Sequence, residues 1–176
     1  QPLCVTILEK CIVLPIECEN LDTALTIFST LNDRGLPLSD SDIFKAQIYR
    51  NQPTATERQL FASKWKELTD TTEDACISID DLFRYYTHFI RAKSGINSKE
   101  IGLRKFYSGA DEKYSKLKTP ELMSDLSNLG DFWFTLNSNE TKINEVDILN
   151  FESQKYLHCL QYYPNEYWKY IVSVYY

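Results

Sequence analysis

Apolar residues return at helical spacing along most of this chain, and that periodicity limits it to a mainly α architecture. Leu21, Ala24, Leu25, Phe28 and Leu31 recur at i, i+3 or i+4, and i+7, the mark of a helix with one apolar face. The same arrangement returns with Leu60, Phe61, Trp65 and Leu68 in "ERQLFASKWKEL". It returns again with Leu82, Phe83, Tyr86, Phe89 and Ile90 in "DDLFRYYTHFIRA". With only 5 Gly and 6 Pro in 176 residues, a turn-rich β-sandwich is disfavoured. The expected fold is a helical bundle-like domain with at most one or two short strands near the N-terminus. The candidate strand is "IVLPIEC", residues 12–18, which is β-branched but broken by Pro15, a residue confined to sheet edges and bulges.

Punctuation residues set the helix ends. The helix that begins near Asn20 should stop at "NDRG", where Gly35 can adopt the left-handed conformation and Pro37 cannot continue the helix. Ser39 should open the next helix by a short capping box with Asp42, and Ile43, Phe44, Ala46, Gln47 and Ile48 carry it to about Tyr49. Residues 51–55 read as a polar loop. Ser78 caps the helix of residues 79–93 by the same logic as Ser39. Gly95, Gly102 and Gly109 divide the next region into shorter pieces. Thr119-Pro120-Glu121 then announces a helix to about Leu136, with Thr119 as cap. "NSNETKIN" reads as a loop, and residues 145–162 and 165–176 as two last helices separated by Pro164.

The formal net charge of −6 is unevenly spread. Residues 91–118 hold eight Lys and Arg against three Asp and Glu, whereas residues 119–176 hold three against eight. Cysteines stand at 4, 11, 18, 76 and 159, without a C-x-x-C pair, and the histidines are His88 and His158. That spacing disfavours a structural zinc site and suits buried free thiols in a reducing compartment. No apolar run approaches a membrane span of about 18 residues, so a cytoplasmic protein without membrane association is expected. The chain lacks an initiator Met and ends within the apolar pattern "YWKYIVSVYY", and it reads as a segment of something longer. An oligomer is compatible with this composition.

Three features invite a functional reading. Asn32 and Arg34 are not needed to end a helix, and an Arg beside a Gly turn and a free helix N-terminus suits phosphate or carboxylate binding through its fork and unpaired amides. A surface or interdomain ion pair is the alternative. Arg91, Lys93, Lys99, Arg104, Lys105, Lys113, Lys116 and Lys118, interleaved with Phe106, Tyr107 and Tyr114, form a candidate DNA-contact stretch, charges for phosphates and rings for stacking. The alternative is that the lysines coat exposed helices of an acidic protein. Phe151, Tyr156, Tyr162, Tyr163, Tyr167, Trp168, Tyr170, Tyr175 and Tyr176 suit either a contact face or a core with phenol groups reaching solvent. Nucleophilic catalysis has no G-x-S-x-G or P-loop behind it, and adjacent His158 and Cys159 point about 100° apart on a helix. No catalytic residue and no metal site is expected.

The run Phe28-x-x-Leu31-Asn32-x-Arg34-Gly35-x-x-Leu38-Ser39-x-x-Asp42-Ile43-x-Lys45, preceded by an aliphatic strand and an acidic helix start, resembles the signature of the GmrS-type, ParB-like domain family of modification-dependent restriction and phage-defence proteins. The match covers residues 12–50. The resemblance implies a bacterial parent protein whose N-terminal ParB-like part binds and hydrolyses a nucleoside triphosphate with magnesium. A nuclease domain, of the same or a partner chain, then cuts DNA. The family's Asp-Gly-Gln-Gln-Arg run is absent here, as is its nuclease motif. Residues 1–50 would then be the closing portion of a ParB-like core, residues 51–176 a helical extension, and the segment non-catalytic without a cofactor of its own. By resemblance, Asn32, Arg34, Gly35, Asp42 and Lys45 support the nucleotide site, although an Asp42–Lys45 ion pair is a sufficient alternative. An all-helical protein-interaction module, using the C-terminal aromatic residues and neither nucleotide nor DNA, is the competing reading.

Overall fold

The computed structural model describes residues 15–18, 23, 27, 38–110, 113–138, 142–143, 146–147 and 150–176. It divides into two compact units, Gln1–Leu38 and Ser39–Tyr176. In the first unit Thr23 and Ile27 are helical, in keeping with the helix expected over residues 20–31. Residues 15–18 carry no strand, contrary to expectation. Pro15 removes a ladder N–H, and among the described residues no strand lies alongside them to supply the bonds an extended segment needs.

The second unit is mainly α. Its helices are α1 (Asp40–Asn51), α2 (Ala55–Asp74), α3 (Ile79–Lys93), α4 (Leu103–Ser108), α5 (Leu122–Asn137), α6 (Phe151–Gln161) and α7 (Tyr167–Tyr175), with a 3₁₀ turn at Ser115–Lys118 between α4 and α5. No helix among the described residues is long and apolar enough to cross a membrane.

Three of these helices start on reciprocal capping boxes. Ser39 and Asp42 close the start of α1 and Ser78 and Asp81 that of α3, as expected. The third, Thr54 with Glu57 at the start of α2, lies in the segment read as a plain loop. Its Thr-x-x-Glu spacing is the box signature itself. The α5 start differs from expectation: Thr119 Oγ1 donates back to the Lys116 carbonyl, and the helix begins at Leu122 without a side-chain cap. The last expected helix boundary also moves. Lys142–Ile143 pairs antiparallel with Val146–Asp147, and α6 starts only after Asn150, whose side chain accepts from the Ser153 amide at 2.8 Å. The strand pair thus sits between α5 and α6 and not near the N-terminus.

Helix α3 organises the packing. Leu82, Phe83, Tyr85, Tyr86 and Thr87 are all buried, so two sides of the helix are covered. Toward α1 and α4, Phe83 meets Phe44 at 4.9 Å and Tyr107 at 5.3 Å between ring centroids, and Phe44 meets Tyr107 at 4.9 Å. These three rings are fully buried. Trp65 of α2 extends the cluster. Toward α5 and α7, Tyr85 lies 5.1 Å from Trp133 and 5.8 Å from Tyr170, and the Trp133 indole N–H donates to Ser173 at 3.1 Å. The polar ends of buried rings are satisfied: Tyr107 donates to the Phe83 carbonyl and Tyr86 to Asp125. Burial pushes the Tyr85, Tyr86 and Tyr107 phenols up, and the Asp125 carboxylate adds to the effect at Tyr86.

Leu60 is a departure from the expected core face, being 55 % exposed while Phe61, Trp65 and Leu68 are buried. Helix α2 therefore buries a stripe that continues to Thr72. Free thiols are found at Cys18, Cys76 and Cys159, but Cys76 and Cys159 are exposed, which corrects the expectation of burial for those two.

Two substitutions check this packing in urea unfolding. Phe44→Ala should cost about 3–5 kcal/mol, because it empties the meeting point of α1, α3 and α4. Gly130→Ala should gain about 0.5–1 kcal/mol. A methyl there meets Leu68 Cδ1 at 3.5 Å and Thr71 Cγ2 at 3.7 Å, ordinary contacts that need no rearrangement.

Candidate functional site

The described part of the LNxRG-type signature is the start of α1. Ser39 is extended, as a cap must be. Its hydroxyl accepts from the Asp42 amide at 3.1 Å and donates to Asp42 Oδ2 at 2.7 Å, and the same carboxylate oxygen accepts from the Ser39 amide at 3.3 Å. The Ser41 amide donates to Asp80 Oδ1, from the first turn of α3, at 2.8 Å. Asp40 accepts from Arg104 Nε of α4 at 3.1 Å. One helix start is thus tied to two other helices.

This arrangement corrects the idea of a free helix N-terminus. The amides of Ser41 and Asp42, which an incoming phosphate would use, are already occupied by Asp80 and Ser39. Three carboxylates, Asp40, Asp42 and Asp80, gather at the positive end of the helix dipole and take the place of an external anion. Asn32, Arg34 and Gly35 lie outside the described residues. Lys45 is exposed one turn into α1, with Nζ 5.9 Å from the centroid of Trp65, and Asp42 is engaged by Ser39. The suggested Asp42–Lys45 ion pair is not formed.

The basic stretch separates into engaged and unengaged cations. Arg91 donates to the Ser98 carbonyl, Lys93 lies over Phe89 and Arg104 pairs with Asp40. Lys116 donates to the Phe106 carbonyl at 3.0 Å while lying over that ring. Lys113 also makes an interaction. Lys99, Lys105 and Lys118 are exposed and lie on a loop, on α4 and at the end of the 3₁₀ turn respectively. Phe106 and Tyr107, expected to interleave as stacking platforms, are core residues. Their rings are closed to a nucleic-acid base.

Lys118 borders an open cleft of about 490 Å³ between the end of α1, the start of α2, the 3₁₀ turn and the start of α5. Leu60, Phe61, Leu117 and Met123 give it apolar walls, and Lys64 stands with Lys118 at its edge. Glu57, also at the cleft, is held by the Thr54 cap. The chemistry is that of a groove for an apolar body carrying a negative group. The sequence carries no sign of it, since four separate elements build it.

The C-terminal aromatic residues also divide. Trp168 is buried and Tyr170 half-buried, whereas Phe151, Tyr156, Tyr162, Tyr163, Tyr167, Tyr175 and Tyr176 are exposed, reaching 88 % at Tyr175. Core packing, one of the two readings open from the sequence, holds only for the first two. Among the described residues no group of three or more His, Cys, Asp or Glu side chains could hold a metal ion.

Compared with family models, curated proteins and solved structures, the chain matches none.

The cap and the interhelix bonds can be separated by stability. Ser39→Ala should cost about 1 kcal/mol, and Arg104→Ala about 0.5 kcal/mol or less, since that ion pair is largely in solvent. Denaturant midpoints of both variants, with an Asp80→Asn variant alongside, check the assignment. Equal losses at Ser39 and Arg104 would refute it.

Proposed function

We propose that this chain is a non-catalytic helical part of a GmrS-like, ParB-like-domain protein and takes part in nucleoside-triphosphate-dependent DNA restriction or phage defence. The reading rests on the signature residues, and the observation that gives it a mechanism is the bond from the Ser41 amide to Asp80. Residues 32–35 lie a few positions before the start of α1 in the sequence, and that start is fastened to α3 by Asp80 and to α4 by Arg104. A change at the start of α1 on nucleotide binding would therefore be felt by α3, the helix around which the rest of the second unit packs. In such a protein nucleotide and magnesium would be held by the nucleotide-binding part of the ParB-like domain, and a nuclease domain would receive the change. Lys99, Lys105 and Lys118 are the cations of the basic stretch that remain for DNA.

The test is calorimetric titration of magnesium nucleoside triphosphates into the intact protein that carries this chain. Arg34→Ala should weaken binding by more than tenfold, about 1.4 kcal/mol. Asp80→Ala should leave binding unchanged and reduce nucleotide-dependent DNA cleavage. Wild-type binding unaffected by Arg34→Ala would remove the turn from the nucleotide site, and no binding at all would overturn the whole reading.

One observation favours a second reading, a protein-interaction module. The exposed Phe151, Tyr156, Tyr167 and Tyr175 are residue types enriched at the energetic centres of interfaces. This module would use neither nucleotide nor DNA.

A further inference from the structure

His88 occupies a place that the signature helix does not touch. It lies on α3 with Arg84 one turn before it and Arg91 one turn after it, so two guanidinium groups share its side of the helix. Its ring stacks on Tyr170 of α7, with centroids 4.2 Å apart and planes 18° from parallel. Imidazole Nε2 is closed to solvent and has no hydrogen-bond partner. The facing group is Glu100 Oε1 at 3.7 Å, on the loop after α3, beyond hydrogen-bond reach.

Two alternative partners therefore compete for one ring. As a neutral flat ring, His88 is a good stacking surface for Tyr170. As a cation, it is drawn toward the Glu100 carboxylate and pushed by Arg84 and Arg91. The other charged groups near this end of α7, Lys169 and Glu166, are paired with each other at 2.6 Å. Besides His88, α7 is tied by Tyr85 against Tyr170, Trp168 against Trp133, Tyr176 against Phe132 and Ser173 on the indole N–H, none of which involves a second imidazole.

We propose that His88 is a proton-operated fastener between α3 and α7: neutral, it holds Tyr170 by stacking, and protonated, it turns to Glu100 and releases the helix. The loop that supplies Glu100 is braced for this exchange, because Arg91 holds the Ser98 carbonyl and the Ile96 amide returns to the Arg91 carbonyl. What the release would free is the end of the chain that carries the exposed Tyr167, Ile171 and Tyr175.

The direction in pH follows from the environment. Burial, foremost, with Arg84 and Arg91 behind it, lowers the His88 pKa below its ordinary value, and Glu100 opposes them only in part. The unfolded chain then takes up this proton more readily than the folded one. The stabilisation is fully present above the ordinary imidazole range near 6.5 and is lost as pH falls through it toward the lower folded value.

Two measurements on the whole 176-residue chain test the fastener. The first is amide hydrogen exchange in residues 167–175 at pH 7.5 and 5.5, corrected for intrinsic rates. The second is proton NMR titration of His88 in a His158→Gln background, where it is the one imidazole left. Protection of α7 should fall severalfold on acidification. The titration midpoint should lie below that of the same chain in urea. His88→Phe, which stacks but cannot take a proton, should abolish the pH response and keep the protection. If it does not fold, His88→Gln should abolish the response from a lower starting protection. Glu100→Gln should move the midpoint further down. A pH response that survives at position 88 without an imidazole, unchanged α7 protection in the wild type, or a midpoint at or above the unfolded value would each overturn the proposal.

Discussion

The burial of helix α3 on two sides is the constraint from which the rest of the second unit follows. A helix with one apolar face needs one neighbour, but α3 buries consecutive residues from Leu82 to Tyr86 on both flanks except at Arg84, and it must be enclosed. Phe83 calls for α1 and α4, which deliver Phe44 and Tyr107, while Tyr85 and Tyr86 call for α5 and α7. Aromatic rings suit this position. Each covers a large area with few rotatable bonds, and the polar ends of Tyr107 and Tyr86 find a carbonyl and a carboxylate. Those two phenols are thus buried without orphaned hydroxyl groups.

What could be read in the sequence was what is encoded within a turn or two of chain. The capping boxes at Ser39 and Ser78 are local, and they stand where their residues predicted. The box of Thr54 with Glu57 is equally local, but it lies within a polar, Pro-containing stretch that has the composition of a loop. The mainly α class followed from periodicity, which sums many weak signals. Boundaries were read less well where two local rules conflict. Thr119 has the residue type of a cap, yet its hydroxyl reaches the Lys116 carbonyl because a 3₁₀ turn brings that acceptor close. The pairing of Lys142–Ile143 with Val146–Asp147 delays α6 to the Asn150 cap.

The candidate site was less legible, because its decisive partners are distant in the chain. Asp80 reaches Ser41 across 39 positions and Arg104 reaches Asp40 across 64, and no spacing rule connects such residues. Counting charges marked residues 91–118 as one basic stretch. The fold breaks it up by giving Arg91, Lys93, Arg104 and Lys116 internal partners and by sending Phe106 and Tyr107 into the core. Tyr85 is the converse case: the one-face template found Leu82, Phe83 and Tyr86 and left Tyr85 on the outer side, where α5 and α7 in fact cover it.

The acidic start of α1 shows how the chain solves a problem that its own packing creates. The start of α1 and the start of α3 come together, so two positive dipole ends, each worth about half a charge, face a common region. Asp80 answers both at once. It is a first-turn acid for α3, and its Oδ1 takes the Ser41 amide of α1. Asp40 and Asp42 add two more carboxylates, more than the dipoles require, and Arg104 from α4 takes up one of them. The segment Ser39–Asp42 is therefore more than a helix cap. It is a junction through which Asp80 and Arg104 tie the start of α1 to α3 and α4.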